Sequence, residues 1–421
     1  MSGKVHKKIP IDVGIIKEEI YKLEILLEKK RMKYNFDEVI DRRNTSCVKF
    51  DAVSEHLGRN DFIPLWVADM DFLSPPCVIE ALKKRVEHGI FGYTFASPQY
   101  YRSIIDWLKK RHHLTVKKEC LTFVPGVVKG IAFALEEFTK KGDKVIIQPP
   151  VYHPFRLLTE GLERQVIDNP LVLENGRYEM NMAGLKKIVE ENDCKVFILC
   201  NPHNPGGRIW SPEELAEVAE ICDDKGILVV SDEIHADLAL PGYKHTPFAA
   251  VSEKAAQNSI TFMAPSKTFN IAGIVSSFAV IPNPDIRKRY VGYLEKRELN
   301  QGCLFAYTAT QAAYEGGEDW LDELLKYIQG NIDFVSDFIE KNIPQINVMK
   351  PEASFLIWLD CRKLGLSQKE LVSLFTDKAH LVLNDGTMFG KEGEGFMRMN
   401  VGSPRAVIEK AMNNLKKAIN E

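Results

Sequence analysis

The stretch SPEELAEVAEICDDKGILVVSDEIH, residues 211–235, contains a complete helix-then-strand unit. Ser211 stands where an N-cap belongs, Pro212 follows at the first helical position, and Glu214 falls three residues after the serine, the spacing of a capping box. That predicts a helix from Ser211 to Lys225, ended by Gly226. Ile227 to Ser231 then reads as a strand. Its apolar residues are continuous rather than alternating, so both faces are buried, as in a parallel sheet covered by helices on two sides. Two acids, Asp232 and Glu233, and then His235 follow the strand. An ionised carboxylate there is costly unless a cation pairs with it, and an N-cap role for Asp232 is the structural alternative. His235 taken alone reads as a packed or surface histidine.

The same texture repeats outward. Leu121 to Val124, Lys144 to Gln148, Lys195 to Cys200, Ile260 to Ala264 and Ser276 to Ile281 are further candidate strands, separated by helix-period segments. The fold class is α/β with a mainly parallel sheet. After it, 319–341 reads as one long amphipathic helix, Phe355 to Leu359 and Val382 to Leu383 as short strands, and 367–376 and 405–420 as helices, which together suggest a smaller α+β lobe. Ile16, Ile20, Leu23 and Leu27 form one apolar helical stripe ahead of Met32. The expected organisation is therefore a helical extension over 1–31, a segment 32–75 packing with the small domain, a large domain over 76–304 and a small domain over 305–421.

Composition excludes several classes. The 421 residues carry 55 Lys+Arg against 58 Asp+Glu, a net charge of −3, which gives no general pull toward nucleic acid or anionic lipid. No apolar run approaches the roughly 18 residues of a membrane span, and the first thirty residues lack the apolar region of an export signal. Eight scattered cysteines without a CxxC pair imply free thiols and a reducing compartment, hence the cytoplasm. A metal site among Cys200, His203, His235 and His153 is the competing cluster, but no pair has a zinc-ribbon or HExxH spacing.

In open α/β sheets ligands lie off the carboxyl ends of the strands, so polar residues just after strands come first. Pro125-Gly126-Val127-Val128 opens a helix whose expected apolar stripe is Val128, Ile131, Leu135 and Phe138; its backbone N–H groups suit a phosphate. Asn201-Pro202-His203-Asn204-Pro205-Gly206-Gly207 is a turn that can hold the Asn204 amide at the crevice. Ala264-Pro265-Ser266-Lys267-Thr268 places a lysine ahead of an apolar segment; buried, it requires a counter-charge or becomes a neutral nucleophile. Singly, each has an ordinary structural reading. Jointly, a phosphate nest, an amide for a ring oxygen, a carboxylate for a cationic ring and an amine for a Schiff base are the binding set of pyridoxal 5'-phosphate. The segment 386–395, with Gly390, Gly393 and Gly395, lacks a Walker ending and reads as a flexible loop near Arg398.

The order Gly126, Asn204, Asp232, Lys267 resembles that of fold type I aminotransferase-like enzymes, from about Met32 to the end of the chain. The resemblance implies Lys267 as the lysine that condenses with the cofactor, Asp232 at the pyridinium nitrogen and Asn204 at the phenolic oxygen. It implies Tyr152 stacked on the ring, and Gly126, Val127, Val128 and Ser266 around the phosphate. Tyr93 resembles a tyrosine reaching the phosphate of a neighbouring subunit, which implies a homodimer with shared sites. Arg398 resembles the arginine that grips the substrate α-carboxylate. Two positions depart from the aspartate aminotransferase pattern: His235 stands where a tyrosine usually meets the phenolic oxygen, and Val275 where a phosphate-binding arginine is often found. With Leu65-Trp66-Val67-Ala68-Asp69-Met70-Asp71-Phe72, these features are similar to the cystathionine β-lyase branch, which includes bacterial carbon–sulfur lyases and the maltose-regulon modulator. The implied activity is β-elimination from an L-cysteine S-conjugate to thiol, pyruvate and ammonia. Transamination on the same residues is the alternative, and a regulatory binding protein the third reading.

Overall fold

Seven strands with almost no solvent-facing side make the large sheet of the computed structural model, which describes residues 33–421. They are β1 (Leu121–Val124), β2 (Lys144–Ile147), β3 (Gln165–Asp168), β4 (Cys194–Cys200), β5 (Leu228–Asp232), β6 (Ser259–Met263) and β7 (Ser277–Val280), in spatial order β1-β7-β6-β5-β4-β2-β3. β2 to β6 pair in parallel, and β7 runs antiparallel to both of its neighbours. Alternate residues of β4 enter two different cores: Phe197 and Leu199 pack on one face of the sheet, Val196, Ile198 and Cys200 on the other. At roughly 1.5–3 kcal/mol per buried aliphatic side chain, this two-sided burial fixes the strands in the middle of the molecule.

The helices that position the site are α1 (Pro98–His112), α2 (Val127–Phe138), α3 (Pro212–Asp224), the single turn α4 (Pro265–Thr268), α5 (Glu318–Asn342) and α6 (Arg405–Asn420). The capping box of α3 is formed as its sequence requires: Ser211 Oγ accepts from Glu214 N, and Glu214 Oε2 accepts from Ser211 N. In α2 the buried residues are Val127, Ile131, Ala134 and Leu135; Val128 and Phe138, expected in that stripe, are only partly covered. Val128 lies at the margin of the buried face, and Phe138 is the last residue of the helix, packed on the edge of the core.

A second, four-stranded antiparallel sheet holds β8 (Asn347–Met349), β9 (Leu356–Asp360), β10 (Asn384–Asp385) and β11 (Phe396–Asn400), in the order β8-β9-β11-β10. Helix α5 buries one face along ten positions from Trp320 to Ile339. The glycine-rich segment 386–395 is not a loose loop. It forms two 3-10 turns in which a Cβ on Gly386 would lie 2.1 Å from the Gly393 carbonyl oxygen, so the two backbones touch directly. Residues Phe36–Glu421 form one compact unit; the stripe expected over 15–31 lies outside the described residues. Among the described residues no helix is long and apolar enough to cross a membrane.

Candidate active site

The two acids after β5 have different fates. Glu233 is buried but satisfied: its carboxylate meets His245 Nε2 (2.9 Å) and accepts from Ser231 Oγ (2.9 Å) and Phe248 N (2.8 Å). Asp232, also buried, accepts from the backbone N–H of Ile234 (3.1 Å), a turn rather than a helix cap. Burial pushes its carboxyl up to about 7, with the Glu233 charge adding to the rise and Lys267 opposing it. A second cation brought to Asp232 would restore the ionised form.

Lys267 sits on α4, beyond the end of β6, partly buried. Its Nζ donates to the carbonyl of Ala68 (2.5 Å). Burial, then the charge of Arg398, lowers the amine to about 8, while Asp69 and Asp232 act in the opposite sense. Such an amine is about one-tenth neutral at pH 7, against less than about one-thousandth for an ordinary lysine. Thr268, next to it, donates to Asp237 Oδ2 (2.8 Å), which anchors the turn; Asp237 also accepts from Trp107 Nε1 (2.8 Å) and meets His112 Nε2 (2.7 Å) on α1.

Arg398 comes from β11 of the other sheet and is buried. Nη1 donates to Asn204 Oδ1 (2.9 Å); Nη2 donates to Asn384 Oδ1 (2.6 Å) and to the Trp66 carbonyl (3.1 Å). Its guanidinium lies 4.9 Å from the centre of the Phe389 ring. Among the described residues no carboxylate pairs with it, and burial lowers its proton affinity to about 10. A buried cation held, among the described residues, by neutral oxygens, with its Nε–H unpartnered there, is arranged to receive an anion. Asn384 was not singled out in the sequence. Its signal is that it is the first polar residue after the apolar run 381–383, paired in register with Arg398.

Tyr152 is partly covered; burial, and after it Asp232, raises its phenol. His235 is buried with Nδ1 unpartnered, and burial together with the charges of Lys267 and Arg398 pushes it down to about 3, so the ring is neutral. Gly126 caps α2 at φ 106°, a conformation closed to most side chains, and leaves the first turn of the helix without a side-chain cap. Ser266, on α4, is buried. Val275 borders this turn, with its Cγ1 3.8 Å from where a Cβ on Gly126 would stand. It holds a left-handed conformation (φ 57°), which for a β-branched residue stores roughly 1–3 kcal/mol of strain. Tyr93 is fully exposed.

Over residues 60–415 the sequence matches the family described as aminotransferase class I and II. The chain belongs to this family. It is 44% identical over 385 residues to the cystathionine beta-lyase PatB of Bacillus subtilis, covering 91% of this chain and 100% of that protein. Cystalysin from Treponema denticola, solved with pyridoxal 5'-phosphate, superposes with a TM-score of 0.89 at 37% identity over 92% of this chain and 99% of its own. The PLP-bound C-S lyase from Staphylococcus hominis gives 0.86 at 34%, over 93% and 99%. The fold type and cofactor expected from the sequence are those of these solved relatives. The donor set suits that group: an amine of lowered proton affinity, a buried acid lacking a direct cation, and an uncapped helix start.

Proposed function

We propose that the protein is a pyridoxal 5'-phosphate-dependent carbon–sulfur β-lyase, cleaving an L-cysteine S-conjugate such as cystathionine into a thiol, pyruvate and ammonia. The end-to-end similarity to a cystathionine β-lyase carries this reading. Bound, the cofactor supplies an aldehyde that condenses with an amine and a ring that accepts the electron pair left at the substrate α-carbon.

The chain's own residues do the rest. Lys267 forms the covalent link and, released by substrate, its neutral amine takes the α-proton and returns a proton to the departing sulfur. Asp232 pairs with the ring nitrogen and keeps it protonated. Asn204 and His235 face the phenolic oxygen, and Tyr152 covers the ring. Gly126 shapes the turn whose Val127 and Val128 N–H groups, with the Ser266 hydroxyl, hold the phosphate, and Val275 there makes phosphate binding lean on neutral donors. Arg398 grips the α-carboxylate. Tyr93 reaches the phosphate of a second copy, and its exposed apolar neighbours Ile90, Phe91 and Phe95 support a homodimer with shared sites. The free cysteines support a cytoplasmic location.

Purified protein incubated with cystathionine and cofactor, without any keto acid, is expected to release pyruvate and thiol in equal amounts. Product formed only after a keto acid is added would instead assign transamination. Arg398→Ala is expected to raise KM for the amino-acid substrate roughly 10- to 200-fold, the loss of a charge-assisted pair of about 1.5–3 kcal/mol, while the visible absorption of the bound cofactor persists. Steady-state kinetics and a spectrum of the same sample check both halves.

A further inference from the structure

The turn that carries Lys267 is too short to hold itself. Helix α4 spans only Pro265–Thr268, far below the roughly 12–15 residues at which a helix persists unaided, so its placement is set from outside. Thr268, fully buried, donates through Oγ1 to Asp237 Oδ2 (2.8 Å). Phe269, also fully buried, meets the rings of Trp107 (5.5 Å between centres) and Tyr314 (5.9 Å). Trp107 serves twice, since its Nε1 also donates to Asp237 Oδ1 (2.8 Å). The two residues that follow the amine are thus fixed, one by a hydrogen bond and one by packing.

Asp237 belongs to a longer line of contacts. It lies in the 3-10 turn Ala236–Leu238 beyond β5 and meets His112 Nε2 of α1 at 2.7 Å. The His112 ring stands edge-on to that of His245, 5.6 Å between centres, and His245 Nε2 meets Glu233 Oε2 at 2.9 Å. Glu233 adjoins Asp232, and Thr268 adjoins Lys267. A run of buried polar side chains therefore connects the neighbour of the ring-facing acid to the neighbour of the amine. Among the described residues neither Glu233 nor Asp237 pairs with a lysine or arginine; a histidine and uncharged donors satisfy each. Burial alone would raise the Asp237 carboxyl, yet the bonds from His112, Trp107 and Thr268 hold it below the ordinary carboxylate range. Displacing any one donor would leave a buried negative charge short of a partner, so the run resists deformation.

We propose that Asp237 is a positioning residue for removal of the substrate α-proton: through the Thr268 hydroxyl it fixes where the Lys267 turn stands relative to Asp232, and so the distance over which the amine must reach. The inference rests on Lys267 and Asp232 having the roles assigned above. Asp237 acts only through its contacts with Thr268, Trp107 and His112. Proton transfer is sensitive to such placement, an error of about 1 Å costing on the order of 10²-fold in rate. The grip of Arg398 is borne by the second sheet and is set independently of this run. Loss of the bond between Asp237 and Thr268 therefore acts on kcat and leaves KM in place.

The test compares holoenzymes carrying Thr268→Val, Thr268→Ser and Asp237→Asn in two assays, cleavage of cystathionine and exchange of the α-proton of L-alanine in D2O, with Tm followed separately. Thr268→Val keeps the side-chain shape and removes the donor. Its kcat and its exchange rate are expected to fall together, roughly 10- to 100-fold, with KM within about twofold of wild type and the visible absorption of the lysine-bound cofactor retained. Thr268→Ser restores the hydroxyl and returns both rates to within about threefold of wild type. Asp237→Asn lowers them at least as far as Thr268→Val, and combining the two variants brings no further loss, since both break the same bond. Wild-type rates in Thr268→Val, a loss that serine fails to rescue, a KM that rises as far as kcat falls, or losses that multiply in the double variant would overturn the proposal. If Asp237→Asn fails to fold, the Thr268→Val and Thr268→Ser pair decides it alone. Exchange needs no sulfur chemistry, so this proposal and the lyase reading fail separately. A wild-type holoenzyme in which borohydride labels a side chain other than Lys267 defeats the lysine assignment and this proposal with it.

Discussion

Lys267→Ala eliminates both the visible absorption of the lysine-bound cofactor and measurable turnover, with kcat falling on the order of 10⁴-fold or more. One side chain carries two functions in the proposed reaction: the covalent link, and the proton transfers, worth roughly 10²–10⁴-fold alone. The structure explains why a lysine can do this near neutral pH. Burial and the Arg398 charge bring its amine to about 8, so half of it is neutral at about pH 8, and the fraction able to accept a proton grows as pH rises. Activity limited by that amine therefore climbs through pH 8 rather than through the ordinary lysine range. Borohydride reduction of the wild-type holoenzyme followed by peptide mapping places the label on position 267. A label elsewhere, or full colour and rate in the alanine variant, would remove the nucleophile from the scheme.

Asp232→Ala lowers kcat by about 10²–10³-fold and weakens cofactor binding far less. The carboxyl stands buried at the end of β5, and burial raises its proton affinity to about 7. A protonated ring nitrogen is the partner it lacks, and the pair they form keeps the ring electron-accepting. Alanine removes that support without disturbing the turn at Gly126 or the Ser266 hydroxyl, which are assigned to the phosphate. Glu233 cannot substitute, since His245, Ser231 and Phe248 already engage its carboxylate. Cofactor affinity measured by equilibrium titration, set beside kcat, separates the two effects; an equal loss in both would assign Asp232 to binding alone.

Much of this was legible in the sequence because the large sheet is buried on two sides. Continuous apolar runs located six of its seven strands within a residue or two, and the polar residues after those strands were the ones to inspect. The seventh, Gln165–Asp168, escaped because it lies at the edge of the sheet and mixes polar with apolar residues. The antiparallel direction of β7 was also hidden, since an apolar run reads the same in either sense. At the site, residue type alone does not separate Asp232 from Glu233, and it was the resemblance that selected Asp232; the contacts of Glu233 with His245, Ser231 and Phe248 show that this acid is occupied. Lys49 was not singled out in the sequence, and its buried partner is Asp71, twenty-two residues away. Asn384 was missed for the same reason, its partner Arg398 lying on a neighbouring strand.

The Asp232 carboxyl at the end of β5 and the Lys267 amine on the turn just beyond β6 belong with one sheet, while the Arg398 guanidinium stands on another. Chemistry and grip thus belong to two separately braced frames, joined at the centre by the backbone of residues 66 and 68. A small tilt of the second frame would alter the span available to a substrate without moving the amine or the acid, and would retune the amine through the Arg398 charge, a route by which one ancestral scaffold can be adapted among sulfur compounds of different length.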